Sequence, residues 1–390
     1  MDKKAISAAL KKNAMLIVLV LVYLFFLILT KGGIFSPSSF TELINQNAYV
    51  YILGAGMLMC MLTGGNIDLS CGAFVCLLGA FGGVFMVVQG ISTGVSILLL
   101  LLIGVVYGVL LGYLIAYVHI PPWIATLAGY LAFRGLGTSI LSSNSVTGSL
   151  SLASKPDFLS IFYGRIFSTE KGVFKWPCFL FGLAMAALVR LMVFWTRKNR
   201  LSKGYEADTI ATAAAKGGIG AAAIILVMTQ LSFDGGIPIT LLWVAGIILV
   251  YSFITSKTTI GRHFYVVGGN MEAARLSGVN TRRIMFLAYL NMAVLTTIAT
   301  FTVVARSQSA YADLGKNFEM DAISACVVGG VSASGGAGTV LGMVIGATLI
   351  GVINLGMSLI SLDANYQRVV KGFVLLAAVV FDILSKKREK

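Results

Sequence analysis

Ala14 to Thr30 reads AMLIVLVLVYLFFLILT, an uncharged run that, at about 1.5 Å per residue, is just long enough to cross a hydrocarbon core of about 30 Å as a helix. Comparable stretches follow at Leu43–Leu62, Ser70–Gln89, Thr93–Val118, Trp123–Leu141, Trp176–Trp195, Gly217–Leu231, Pro238–Thr255, Ile284–Ala305, Asp321–Val331, Ala337–Ile360 and Val369–Leu384. Inside a bilayer every backbone donor and acceptor must be satisfied within the protein, so runs of this kind become helices. The expected fold is therefore an all-α polytopic membrane protein, residues 1–390 forming a single transmembrane domain. About 10–12 membrane segments are expected, some re-entrant or kinked because they are short or glycine-broken. Composition agrees, since 58% hydrophobic residues, 11% charged residues and a mean hydropathy of +0.92 lie outside the range of water-soluble domains.

The first run follows Lys3, Lys4, Lys11 and Lys12, as a signal peptide would, but its exit at Thr30-Lys31-Gly32-Gly33 has no small-x-small cleavage site. It reads as a retained anchor. The net charge of +14 is carried between spans: Lys3–Lys12, then Arg197 to Lys203, then Lys257, Arg262, Arg275, Arg282 and Arg283, and finally Lys386, Lys387 and Arg388. Basic loops face the cytoplasm, and counting spans from a cytoplasmic N-terminus puts all four clusters on that side. This predicts residues 1–13, the loop 256–283 and the tail 385–390 inside. The loop 142–175, with Lys155, Asp157, Arg165, Glu170, Lys171 and Lys175, is predicted outside, where a soluble partner can dock. Charge distributed this way argues for a lipid bilayer and against nucleic acid as the partner. Cys60, Cys71, Cys76, Cys178 and Cys326 lie in or beside apolar runs with no ligand spacing, so they read as packing thiols with no metal or disulfide role.

One interruption stands out. GRHFYVVGGNMEAARLSGVNTRRI, Gly261 to Ile284, has the local chemistry of a short helix. Asn270 can cap it, Glu272 lies in the first turn where the helix dipole favours an anion, and Gly278 can end it. Asn280 or Thr281 can cap the next helix. A two-turn helix does not persist alone in water and must pack on something. Locally it is either a capped connector whose cations set topology or a docking element.

Other polar residues carry paired readings too. Asp68 and Ser70 read first as caps of the following helix, with Gly64, Gly65 and Gly72 allowing close packing; the alternative is hydrogen bonding with Asn66 across a helix junction near a translocation route. The stretch Gly329–Gly338 repeats that theme and hints at an internal repeat. Arg134 either lines a solvated path or subunit contact, or pairs with a helix carboxyl end; Arg190 and Arg306 read as boundary residues whose heads reach the interface. Gly104, Gly108 and Gly112, and Gly342 and Gly346, recur at helix-packing spacing. The two prolines of His119-Ile-Pro121-Pro122 should stop or bend the chain. Several chemistries find no motif: there is no G-x-x-x-x-G-K-[ST], no HExxH, no G-x-S-x-G and only two histidines, His119 and His263, hence no catalytic residues, no metal and no nucleotide site in this chain. Nor is there a ladder of mid-span carboxylates such as a proton-coupled carrier uses.

Glu272-Ala273-Ala274 followed by Gly278 resembles the EAA-type loop of ABC importer permeases, and the wider string from Gly261-Arg262 through Gly269-Asn270 to Arg275 and Gly278 resembles permeases of the ribose/xylose/galactose-type monosaccharide importers. Gly65-Asn66-Ile67-Asp68-Leu69-Ser70-Cys71-Gly72 resembles that family's G-x-IDLS-x-G segment, and Glu319-x-Asp321-Ala322-Ile323 with Gly329 to Thr339, including Ser334, resembles its late Gly/Ser-rich segment. The resemblance implies a permease subunit of a bacterial cytoplasmic membrane importer. Gly261, Arg262, Gly269, Asn270, Glu272, Ala273, Ala274, Arg275 and Gly278 would couple to a separate cytoplasmic ATPase that carries the ATP and Mg, this chain holding no cofactor. It further implies an extracytoplasmic sugar-binding protein, a second permease copy and a monosaccharide substrate, with Asn66, Asp68, Ser70, Arg134, Glu319, Asp321 and Ser334 as pathway or helix-junction residues. The competing reading is a secondary carrier or facilitator not coupled to ATP.

Overall fold

The computed structural model describes residues 14–167, 173–207 and 209–387. The basic cluster Lys3–Lys12, Glu170 and Lys171 of the external loop, and Arg388 of the tail lie outside the described residues.

After α1 (Ala14–Leu29), Ser36 starts α2 (Pro37–Leu62) by accepting a hydrogen bond from the Ser39 amide, with Pro37 at the first helical position where its missing N–H costs nothing. The N-terminal third of α2 is polar yet buried, through Ser39, Thr41, Asn45 and Asn47. This is why hydropathy alone placed its start at Leu43. From there α2 is enclosed on nearly all sides and forms the centre of the protein. A glycine-rich turn leads into α3 (Cys71–Gly83), which continues through one π-helical turn to Val88. Next comes α4 (Thr93–Ala116), and the His119-Ile-Pro-Pro stretch ends it, so that α5 (Pro122–Asn144) starts anew on Pro122.

The segment after α5 forms β1 (Ser149–Ser151), α6 (Pro156–Tyr163) and β2 (Arg165–Ile166). Helices α7 (Trp176–Ser202) and α8 (Ile210–Phe233) pack along each other, and α8 leans on α2. Strand β3 (Ile237–Pro238) pairs antiparallel with β2, Arg165 opposite Pro238, and introduces α9 (Ile239–Lys257). Arg165 and Asp234 bridge this corner at 3.2 Å.

Helices α10 (Thr259–Gly269) and α11 (Met271–Leu276) occupy the polar interruption, and α12 (Thr281–Ser307) leaves it. Strand β4 (Ser309–Tyr311) pairs antiparallel with β1, Leu150 opposite Ala310. Then follow α13 (Phe318–Val328), α14 (Val340–Leu359) and α15 (Ala364–Lys387). Among the described residues eight helices, the α3 span among them, are long and apolar enough to cross a membrane. The chain is an all-α polytopic membrane protein.

The glycine stripes are packing seams. Side chains at Gly104, Gly108 and Gly112 would run into Thr297, Leu290 and Phe286, so α4 lies backbone-close on α12; Gly342 and Gly346 set α14 on α13 in the same way. All five cysteines are buried free thiols. One sequence expectation needs correction. Asp321–Val331 was expected as a span, but α13 has 11 residues, about 16 Å, and reaches only halfway across a core of about 30 Å. Arg306, in the last turn of α12, is part-exposed and forms an ion pair with Glu42.

Candidate functional site

Three stretches far apart in sequence meet at one end of the bundle. The turn between α2 and α3 has Gly65 at φ +75, and a side chain there would overlap the Ala333 carbonyl oxygen in the turn between α13 and α14. The Gly336 amide donates to the Leu62 carbonyl at 3.1 Å, tying the end of α2 to that second turn. A Cβ on Gly268, near the end of α10, would overlap the Leu62 carbonyl oxygen and stand 2.6 Å from the Gly336 nitrogen, and Tyr265 donates to the Gly338 carbonyl at 3.0 Å. The two glycine-rich turns that echo each other in sequence therefore face each other, and α10 closes over both. Only backbone-to-backbone contact allows this, which is the physical reason for the glycines.

Sequence reasoning missed α10 as a helix. Thr258 caps it by accepting from the Gly261 amide at 3.0 Å, and Gly261, Phe264 and Val267 form its buried face, a helical spacing hidden by Arg262 and His263. Asn270 then ends α10 and caps α11, its Oδ1 accepting from the Ala273 amide at 2.9 Å. Ala274 is completely buried, whereas Glu272 and Arg275 face out and pair with each other at 2.8 Å. Met271 and Leu276 are exposed apolar residues at the two ends of α11, Leu276 to 80%. Gly278 at φ +83 turns the chain, its amide donating to Arg275 and that of Val279 to Ala274. Of the two candidates for the next cap it is Asn280, accepting from the Arg283 amide at 2.9 Å. A groove of about 300 Å³ beside α11 is lined by His119, Glu272, Arg275 and Arg282.

Above this junction lies a buried polar chain. Asp68 is 1% exposed, and its Oδ1 accepts from the Ser70 amide at 2.8 Å and the Ser70 hydroxyl at 2.5 Å. Asp68 thus makes a local turn onto Ser70, the residue before α3; Ser70 does not cap the helix with its own side chain but bridges Asp68 to the Tyr107 hydroxyl at 2.7 Å. Asn66 turns inward on Thr63, donating to its carbonyl at 3.0 Å. Ser334 contacts Ser332 within its own turn at 3.0 Å. Arg134 does not meet a helix end: Nη1 donates to the carbonyls of Ala312 and Leu314 at 3.1 and 2.7 Å, pinning the strap of residues 312–317 along α3. Glu319, 3% exposed, lies against Gly72. Asp321, two residues on, accepts from Tyr49 at 2.6 Å and from Lys371 at 2.9 Å. Tyr49 and Lys371 were not singled out from sequence, although a lone lysine in the last apolar run was a usable signal.

The starts of α13 and α3 thus lie beside a buried set of carboxylates, Asp68, Glu319 and Asp321, and a short exposed helix sits on the outer surface of the same junction. The family model for the branched-chain amino acid transport system permease component matches residues 39–379, which includes every one of these elements from α2 to most of α15. The chain belongs to this permease family. The permease is 32% identical over 385 residues to the xylose transport system permease protein of Haemophilus influenzae, with 98% of each chain covered. It is 30% identical to the xylose transport system permease protein of Escherichia coli, covering 98% of this chain and 94% of the other, and 31% identical to the ribose import permease protein of Bacillus subtilis, covering 89% and 85%. No solved structure matches. With eight helices among the described residues long and apolar enough to cross a membrane, the permease is a multi-pass protein of a bacterial inner membrane and a transport subunit.

Proposed function

We propose that the permease forms the membrane passage of an ATP-binding-cassette importer for a monosaccharide. A soluble binding protein delivers the sugar outside, a separate ATPase drives the cycle inside, and two copies of the chain assemble around the route. The observation that carries this reading is α11: a capped two-turn helix with Ala274 locked into the core and Glu272, Arg275 and Leu276 presented outward. A connector needs no such presentation, and a facilitator has nothing to hold with it. The relatives named for xylose and ribose transport support a pentose-sized sugar as cargo.

On this reading the N- and C-termini and the α10–α11 surface are cytoplasmic, and β1, α6 and β2 form the outer landing platform. Nucleotide-driven closure of the ATPase pulls on α11 and shifts the balance between inward-open and outward-open states, because nucleotide binds one of them better. ATP and Mg belong to that partner; the residues grouped around α11 grip it and hold no cofactor. Asp68, Ser70, Asn66 and Ser334 act in the helix junction, Arg134 and Glu319 hold the strap against α3, and Asp321 belongs to the pathway.

The test is co-purification of the detergent-solubilised permease with co-expressed ATPase subunits, comparing wild type with Glu272→Ala and Gly278→Pro. Wild type is expected to retain the ATPase and, in proteoliposomes, to stimulate it when sugar-loaded binding protein is added; both variants lose retention or stimulation. Sugar equilibration by wild-type vesicles without ATP or an associated ATPase would leave the facilitator reading in its place.

A further inference from the structure

Helices α13 and α15 leave between them a cavity of about 190 Å³ lined by Asn317, Asp321, Ser324, Arg368 and Lys371. Asp321 and Ser324 are almost fully buried, at 3% and 4% exposure, yet both border the cavity. The Asp321 carboxylate is oriented from two sides: the Tyr49 hydroxyl donates to Oδ2 at 2.6 Å and Lys371 Nζ at 2.9 Å. The Tyr49 ring is itself fixed by stacking on Phe318, centroids 3.6 Å apart. Tyr49 is the midpoint of α2, whose 26 residues make a rod of about 39 Å, longer than a hydrocarbon core of about 30 Å, so on the proposed topology this constellation sits at membrane depth. Two cations, a carboxylate, an amide and a hydroxyl around an open cavity at that depth cannot face acyl chains, since nothing there solvates them. They must face water or a polar solute.

We propose that this cavity is a binding station for a monosaccharide within the membrane, a reading that rests on the sugar importer proposed above. Asp321 accepts from one sugar hydroxyl. Lys371 and Ser324 donate to the oxygens of neighbouring hydroxyls, and Asn317 can do either, which is the donor and acceptor set that vicinal hydroxyls satisfy. The Asp321–Lys371 pair also links half-helix α13 to α15 across the cavity, so a sugar that competes for either partner loosens that link. A merely structural ion pair would pin the same two helices but would not respond to sugar.

The experiment uses cells expressing the complete transport system. Ser324→Cys is challenged with a charged, hydrophilic thiol reagent with and without xylose or ribose; the native cysteines are buried, and Leu376→Cys, on the exposed face of α15, is the lipid-facing control. In parallel, uptake of labelled xylose and ribose is compared for wild type, Lys371→Met and Lys371→Arg at matched membrane levels. The expected result is that the thiol of Ser324→Cys reacts, sugar slows the reaction and the control stays unlabelled. Lys371→Met lowers uptake by about tenfold or more, the effect of removing a charge-assisted hydrogen bond, and Lys371→Arg retains most of it. A wild type that takes up sugar while the Ser324→Cys variant stays unreactive, or while Lys371→Met transports at the wild-type rate, overturns the station and leaves the importer standing. A wild type that takes up neither sugar overturns the sugar assignment and the station together.

Discussion

Gly65 and Gly278 offer a controlled comparison, because both hold left-handed backbone, at φ +75 and +83, but differ in what surrounds them. A Cβ on Gly278 meets nothing within 4 Å, whereas one on Gly65 overlaps the Ala333 carbonyl oxygen and stands 2.9 Å from its carbon. Holding alanine in left-handed backbone costs about 1–2 kcal/mol, and forcing one extra carbon into close-packed structure costs about 1–3 kcal/mol more. Gly278→Ala should therefore lose about 1–2 kcal/mol and Gly65→Ala about 2–5 kcal/mol. The difference is the energetic weight of the contact between the two glycine-rich turns. Titration of the purified protein with SDS, followed by circular dichroism, reads both losses on one scale. Equal losses would refute the reasoning, since they would mean that the turn between α13 and α14 yields freely and that the two turns are not rigidly joined.

Leu276, 80% exposed at the end of α11, should tolerate Leu276→Asp with a change in stability within about 0.5 kcal/mol, while the same variant loses the co-expressed ATPase on co-purification; retained ATPase would take the apolar tip out of the proposed contact. Arg134→Gln removes the guanidinium that donates to Ala312 and Leu314. It should free the strap by about 2–3 kcal/mol, the scale of hydrogen bonds from a charged donor. Amide exchange over residues 310–316 is the measurement, and exchange no faster than wild type would show that packing on α3 suffices to hold it.

Hydropathy made most of the fold legible because a bilayer leaves few choices: each long apolar run became a helix, and the prolines at 121 and 122 and the cap at Asn270 fell where the chain breaks. What it missed shares one cause. The start of α2 is polar and buried, α10 carries Arg262 and His263 on its exposed face, and α13 is a half-helix whose apolar run continues past its end into Gly329. In each, the environment supplied by distant segments decides the outcome, and local composition does not contain it. At the site, a polar turn at Asp68 and Ser70 was readable from its place before an apolar run, although neither side chain caps α3. The pairing of Asp321 with Tyr49 and Lys371 was not, because it joins residues 272 and 50 positions apart.

One continuous piece of chain runs from α11 through α12 to β4. Helix α12 has 27 residues, so it is a rod of about 40 Å. At one end it is joined through Gly278 to the exposed short helix; at the other it becomes the strand that hydrogen-bonds β1 and then the strap leading to α13. A displacement of α11 therefore reaches the far face of the membrane along a single covalent strut, without relay through side-chain contacts. The two faces are mechanically in series, and the stiffness of α12 sets how much of a push at one survives to the other.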